Sequence, residues 1–339
     1  MVTAKRFNAP SLLQWIGLIT VACLVLPTSY IIYVALTAAP AVWSRLWSTR
    51  IPELLWNTLS LATSVAVTTC MLGVSLALIM VRYEFPGRRI WEWAIVLPLA
   101  MPTYVLAYVY AHLFGTGGPA EQWWQAFMGS EARLLSPHSF AGVTLIMALD
   151  TFPFEEVARA CGVSPWATLW RVILPLIRPA IAAGLALVIV YVVSDFGAVS
   201  LLRYQTLTYA VYQQMTGRYD QSAASILSLL LVVMALVFLV TERWGRRRSR
   251  FYQTSGRYRT PTRRLGGPVK AVLITTYVLL VFGTAFGIPA FMLIHWSLTS
   301  VSQGALDARF FGFVWNSSVL SALAAGSAVL IGLPLAYLA

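Results

Sequence analysis

The sequence predicts an all-α, polytopic membrane protein, and three observations carry that prediction. Of its 339 residues, 59% are hydrophobic and only 11% are charged, whereas soluble domains carry roughly a quarter charged residues. The apolar residues gather in long windows, all but one of them enough for a helix to cross a bilayer. The Lys and Arg residues are distributed unevenly between alternate loops, which is how membrane helices record their orientation.

A helix needs about 20 apolar residues to cross the hydrocarbon. Windows of this kind place spans at 12–37, 54–81, 91–114, 139–152, 173–194, 222–242, 270–294 and 313–339. The fourth is short, so it must either begin earlier than its apolar core or be shielded by neighbouring helices. Pro27, Pro98, Pro102 and Pro289 fall inside spans, where packed membrane helices tolerate them if neighbours satisfy the freed carbonyls. Lys5 and Arg6 ahead of the first window imitate a signal peptide, with Ala39-Pro40-Ala41 as its cleavage site. That run is too long for a signal core and reads as an uncleaved first span.

With the N-terminus in the cytoplasm, roughly three in four of the 24 Lys and Arg residues fall on the inner side, as the positive-inside rule requires. Trp43, Trp47, Trp56, Trp123, Trp124, Trp296 and Trp315 then sit near the outer interface, and Trp15, Trp91, Trp93 and Trp244 near the inner one. Both sets read as belt anchors. The net charge of +12 is accounted for by this bias and by the basic stretch Glu242 to Lys270. That stretch lies at the edge of a span and reads as a contact for anionic lipid rather than for nucleic acid.

Several chemistries are excluded or disfavoured. Neither Lys5 nor Lys270 follows a glycine, so there is no P-loop for nucleotide. Cys23, Cys70 and Cys161 fall in two spans and an inner loop, giving neither a disulfide framework nor metal spacing. His112, His138 and His295 lie near the outer face in separate elements and read as interfacial. A metal-dependent membrane enzyme needs clustered carboxylates, and the adjacent acidic pair here is Glu155-Glu156. Asp195, at the end of a span before Phe196-Gly197, reads as a hydrated helix end or as a residue at the outer mouth of a pathway.

Between the fourth and fifth spans lies a polar interlude, PFEEVARACGVSPWATLWRVILP, from Pro153 to Pro175. Its signals predict two short helices. Pro153 suits a first helical position, with Glu155 and Glu156 in the first turn where the positive helix end favours carboxylates. Gly162 supplies a left-handed cap, Ser164-Pro165 an N-cap and first position, and the second helix carries Trp166, Leu169, Trp170 and Val172. These local signals alone fit a solvated hairpin as well as a partner-binding loop.

Glu156, Val157, Ala158, Gly162, Val172, Leu174 and Pro175 together resemble the EAA loop of binding-protein-dependent ABC permeases. That pattern is Glu-Ala-Ala, a Gly, and then Ile-x-Leu-Pro. Val157 and Val172 depart from it and remain apolar. The resemblance implies that Glu155, Glu156, Ala158, Gly162, Trp166, Leu174 and Pro175 meet a cytoplasmic ATP-binding subunit dimer. The chain itself is then expected to bind no cofactor, with ATP used by the partner. LPLAMPTYVLAYVY from Leu97 and SDFGAVSLLRYQTLTYAVYQQMTGRYDQSAA from Ser194 resemble the fused iron(III) permeases within that family. They imply an inner-membrane importer of iron(III) fed by a periplasmic binding protein, with Asp195 a candidate on the substrate pathway. Thiamine, polyamine and phosphonate importers share the architecture; a membrane enzyme and a simple channel are the rival classes.

An internal repeat accompanies the loop. Trp56-Asn57 recurs as Trp315-Asn316, and Leu61, Gly73, Leu76 and Ala77 recur as Leu320, Gly332, Leu335 and Ala336, while Pro27 pairs with Pro289. The expected organisation is a first transmembrane unit over 1–242 containing the loop 153–175, a basic linker over 243–270, and the start of a second unit over 271–339. On this reading the second unit is unfinished at Ala339, and the chain is expected to be part of a longer fused permease.

Overall fold

The computed structural model describes residues 12–129, 135–152, 174–248, 264–265, 267–304 and 308–338. In chain order its helices are α1 (Leu12–Thr37), α2 (Pro40–Thr49), α3 (Ile51–Arg82), α4 (Arg88–Ala94), α5 (Thr103–Phe114), α6 (Pro119–Met128) and α7 (Phe140–Thr151). They continue as α8 (Leu174–Ser194), α9 (Gly197–Leu201), α10 (Leu207–Tyr212), α11 (Gln221–Arg248), α12 (Pro268–Phe282), α13 (Ile288–Ser302) and α14 (Ala308–Leu338). Helices dominate because hydrocarbon offers no partner to a free N–H or C=O, and a helix satisfies both within one segment.

Among the described residues, five helical stretches are long and apolar enough to span a membrane: Gly17–Thr37, Ile51–Arg82, Gln221–Thr241, Pro268–Ser302 and Arg309–Leu333. They coincide with five of the expected windows. The expected third span, 91–114, is not one helix. Arg88–Ala100 and Thr103–Met128 meet at a bend of 90°. Proline disfavours helical geometry in the residue before it, and Met101 before Pro102 is extended, at φ −100° and ψ 118°. Pro98 and Pro102 therefore break the span rather than being tolerated within it. The short fourth window does not begin early. Ser139 caps α7 by accepting a hydrogen bond from the Gly142 amide at 3.1 Å, and most of the helix is buried among its neighbours.

The chain divides into two compact units, one made of Met1–Thr37 with His295–Ala339 and the other of Ala38–Ile294. In the first, α1 packs against α14. In the second, α3 is central and packs against both α7 and α8. Its buried face, including Leu54, Thr58, Leu61, Val65, Thr69, Gly73 and Leu76, is rich in small residues, which let helix backbones approach closely in lipid. Near the C-terminal end of α3, Leu76, Met80 and Phe85 close a core with Ile95, Phe152, Val278, Val281 and Ala285.

The turn after α3 is tied down by Arg88, which donates to the Met80 carbonyl at 2.9 Å and pairs with Glu84 and Glu92. Gly87 makes the turn possible at φ +73°, a conformation that costs other residues. Tyr83 and Glu84 pair in parallel with Arg264 and Leu265. The end of the basic linker is thereby held beside this turn.

Candidate functional site

The loop with the Glu and Gly signals, including Glu155, Glu156, Ala158, Gly162 and Trp166, lies outside the described residues. Leu174 and Pro175 are described as the opening of α8. What the structure places are the helices on either side of the loop, α7 before it and α8 after it. Both lie against α3, so the loop starts and ends on helices that share one support.

The last turn of α7 is anchored by polar contacts. The Thr151 hydroxyl, fully buried, meets the Thr69 hydroxyl of α3 at 2.8 Å and donates to the Met147 carbonyl at 2.9 Å. Asp150 is only 3% exposed, and its carboxylate accepts a hydrogen bond from the Tyr191 phenol of α8. Phe152, 1% exposed, enters the core at the C-terminal end of α3. Polar groups at such depth are costly unless satisfied, and here each has a partner on a different helix.

Asp195 follows the last residue of α8. One carboxylate oxygen accepts from the Thr103 hydroxyl at 2.7 Å and the other from the Ala198 amide at 3.0 Å. Its own carbonyl accepts from the Thr208 hydroxyl at 3.3 Å. Tyr191 also lies beside Thr103, so Asp150, Tyr191, Thr103 and Asp195 are polar neighbours across α7, α8 and the start of α5. Gly197 stands close to α5 here: a Cβ on it would lie 3.0 Å from the Tyr104 Cβ. The two stretches singled out from Leu97 and from Ser194 thus meet at the Thr103–Asp195 bond.

The segment after Asp195 folds back onto neighbouring helices. The Leu207 amide donates to the Thr58 hydroxyl at 3.0 Å, and the Asn57 amide donates to the Gln205 carbonyl at 3.1 Å. The His138 ring lies 3.1 Å from the Leu202 carbonyl, which gives that histidine a structural partner. Among the described residues, no group of three or more His, Cys, Asp or Glu side chains is arranged to hold a metal ion. Asp150 escaped the sequence reading because a single carboxylate is averaged out in an apolar window. Its signal was its position three residues before the polar loop.

Long apolar spans, with two helices that share the support of α3 on either side of a polar loop, define a polytopic helical membrane protein. Residues 70–250 match the model of the family described as the binding-protein-dependent transport system inner membrane component, and the chain belongs to that family. It is 30% identical over 91% of its length to the Fe(3+)-transport system permease protein FbpB 2 of Haemophilus influenzae, of which it spans 62%. It is 25% identical over 66% of its length to the sulfate transport system permease protein CysT of Escherichia coli, covering 89% of that protein. A probable sulfate permease of Nephroselmis olivacea is 30% identical over 55% of the chain and 72% of its own length. The fold is similar to that of a solved bacterial ABC transporter involved in alginate import, with TM-score 0.54, 15% identity, and coverage of 70% of this chain and 95% of that one.

Proposed function

We propose that this chain forms the translocation path of an ABC importer in the inner membrane, with its N-terminus in the cytoplasm. In this reading a periplasmic binding protein delivers the cargo. A separate ATPase dimer docks on the loop 153–175, where Glu156 accepts charge-assisted hydrogen bonds and Gly162 permits the turn between two short helices. The observation that carries the reading is the family match over residues 70–250, which encloses both the loop and the α7–α8 pair that frames it.

Iron(III) is the cargo this reading favours. The similarity to the Fe(3+) permease extends over 91% of the chain, whereas the sulfate permeases cited above align over 55% and 66%. Sulfate is the second reading, supported by identities of similar size. Cells expressing the chain with its ATPase and binding protein are expected to accumulate radioactive iron(III), and Glu156→Lys or Gly162→Asp to abolish that uptake with insertion intact. Uptake of radioactive sulfate without iron moves the assignment to the second reading. Normal iron uptake and normal ATPase association in both variants contradict the coupling role of the loop.

A further inference from the structure

The span Pro268–Ser302 contains a π-helical turn at Gly283–Gly287, between α12 and α13. In that turn the Ile288 amide donates to the Gly283 carbonyl, five residues back. The next amide in the same register would reach the Thr284 carbonyl, but it belongs to Pro289, which has no N–H. The Thr284 carbonyl is therefore the one that this proline leaves open. The Tyr110 phenol of α5 donates to that same carbonyl. Tyr110 and Pro289 are both buried, so the substitution of a phenol for the missing amide takes place inside the helix packing.

Proline alone does not demand such a turn. Pro27, the repeat counterpart of Pro289, lies within α1, which is α-helical throughout Leu12–Thr37. A helix can hold Pro289 in either of two registers. In the α register the Ile288 amide takes the Thr284 carbonyl, and the proline orphans the Ala285 carbonyl, against which its ring also presses. In the π register it orphans the Thr284 carbonyl instead. Hydrocarbon offers an orphan carbonyl no partner, so a donor from a neighbouring helix decides which orphan is tolerated. Tyr110 serves the Thr284 carbonyl, and that favours the π register.

We propose that the span Pro268–Ser302 is a two-register helix and that the Tyr110 phenol holds it in the π register. Withdrawal of α5 leaves the Thr284 carbonyl to take the Ile288 amide, and the bulge closes. A π turn amounts to one residue inserted into an α-helix, so closing it turns residues 289–294 by about 100° relative to α12. The position of α5 is thereby converted into a rotation of the helix beyond the bulge. The device stands whatever the cargo.

The test is the oxygen accessibility of nitroxide labels, scanned one at a time through 271–280 and 288–294. It uses the full chain in lipid vesicles, with its own cysteines replaced by serine. Each segment gives a periodic pattern whose phase marks the lipid-facing side. Tyr110→Phe keeps the ring and removes the donor, and it is expected to turn the second phase by about 100° while the first stays put. p-Aminophenylalanine at position 110 restores a donor and is expected to restore the wild-type phase. Pro289→Ala supplies the missing N–H from the backbone, so adding Tyr110→Phe to it is expected to change nothing further. A wild-type phase in Tyr110→Phe overturns the proposal, as does an altered phase with p-aminophenylalanine. A turn that Tyr110→Phe still produces on top of Pro289→Ala also overturns it, because the phenol then acts on something other than the missing amide. Should Tyr110→Phe alone fail to insert, the double variant decides. Insertion with the phase of Pro289→Ala supports the proposal, and failure to insert overturns it.

Discussion

Helices α3 and α14 carry the same face and bury it differently. Leu54, Thr58, Leu61, Ala66 and Gly73 of α3 are buried, while their repeat counterparts Phe313, Ser317, Leu320, Ala325 and Gly332 of α14 are exposed. Each pair keeps an apolar or small residue, and Thr58 is matched by another hydroxyl. Composition therefore does not explain the difference. In lipid, apolar surface is not driven together as it is in water; close packing of small residues and hydrogen bonds between helices holds spans to one another. For α3 that packing comes from α7 and α8, the helices that frame the polar loop. The comparison teaches that a helix face is written in sequence, whereas its burial depends on which helices are brought to it.

The comparison is most easily broken at the Leu61 and Leu320 pair. Leu61 is 1% exposed and Leu320 is 70% exposed. Leu61→Ala is expected to destabilise the protein by about 2 kcal/mol, the low end for a buried leucine because lipid supplies no hydration term. Leu320→Ala is expected to stay within about 0.5 kcal/mol. Unfolding by detergent titration measures both, and equal losses would mean that the two faces are packed alike.

A smaller effect sharpens the same comparison. Thr69 meets Thr151 across the α3–α7 contact, but the matching residue of α14 is Ala328, which has no hydroxyl. A double-mutant cycle of Thr69→Val and Thr151→Val is expected to give a coupling of about 0.6 kcal/mol, the average for hydrogen bonds between membrane helices. Ala328→Thr is expected to show no coupling with Thr151→Val. A coupling near zero in the first cycle would reduce the α3–α7 contact to shape alone.

The long spans were legible because a run of apolar residues has one stable form in a bilayer. The bend at Met101–Pro102 was not, since Pro98 and Pro102 resemble prolines that packed spans absorb; only the extended Met101 settles the matter. Gly87 and the Arg88 pairs read as ordinary inner-loop residues, and their turn depends on the Met80 carbonyl and the neighbouring carboxylates. The pairing of Tyr83–Glu84 with Arg264–Leu265 involves two residues a side, too few to leave a pattern. Asp195 was singled out from sequence, but its partners Thr103 and Thr208 come from other segments. Asp150 was passed over because one carboxylate is averaged out in an apolar window, and its partner Tyr191 lies on another helix. Hydrogen bonds between distant segments leave no periodic trace along the chain.

The central claim is that the loop carried between α7 and α8 is the docking point for a separate ATPase. A photo-crosslinking amino acid placed at Trp166, in membranes that also hold the ATP-binding subunit, addresses it most directly. The account predicts that irradiation joins the chain to that subunit, and that the same probe at Gly117, on the opposite side in the proposed topology, does not. Capture from Gly117, or no capture from Trp166 in an assembly that still hydrolyses ATP in response to cargo, would contradict it.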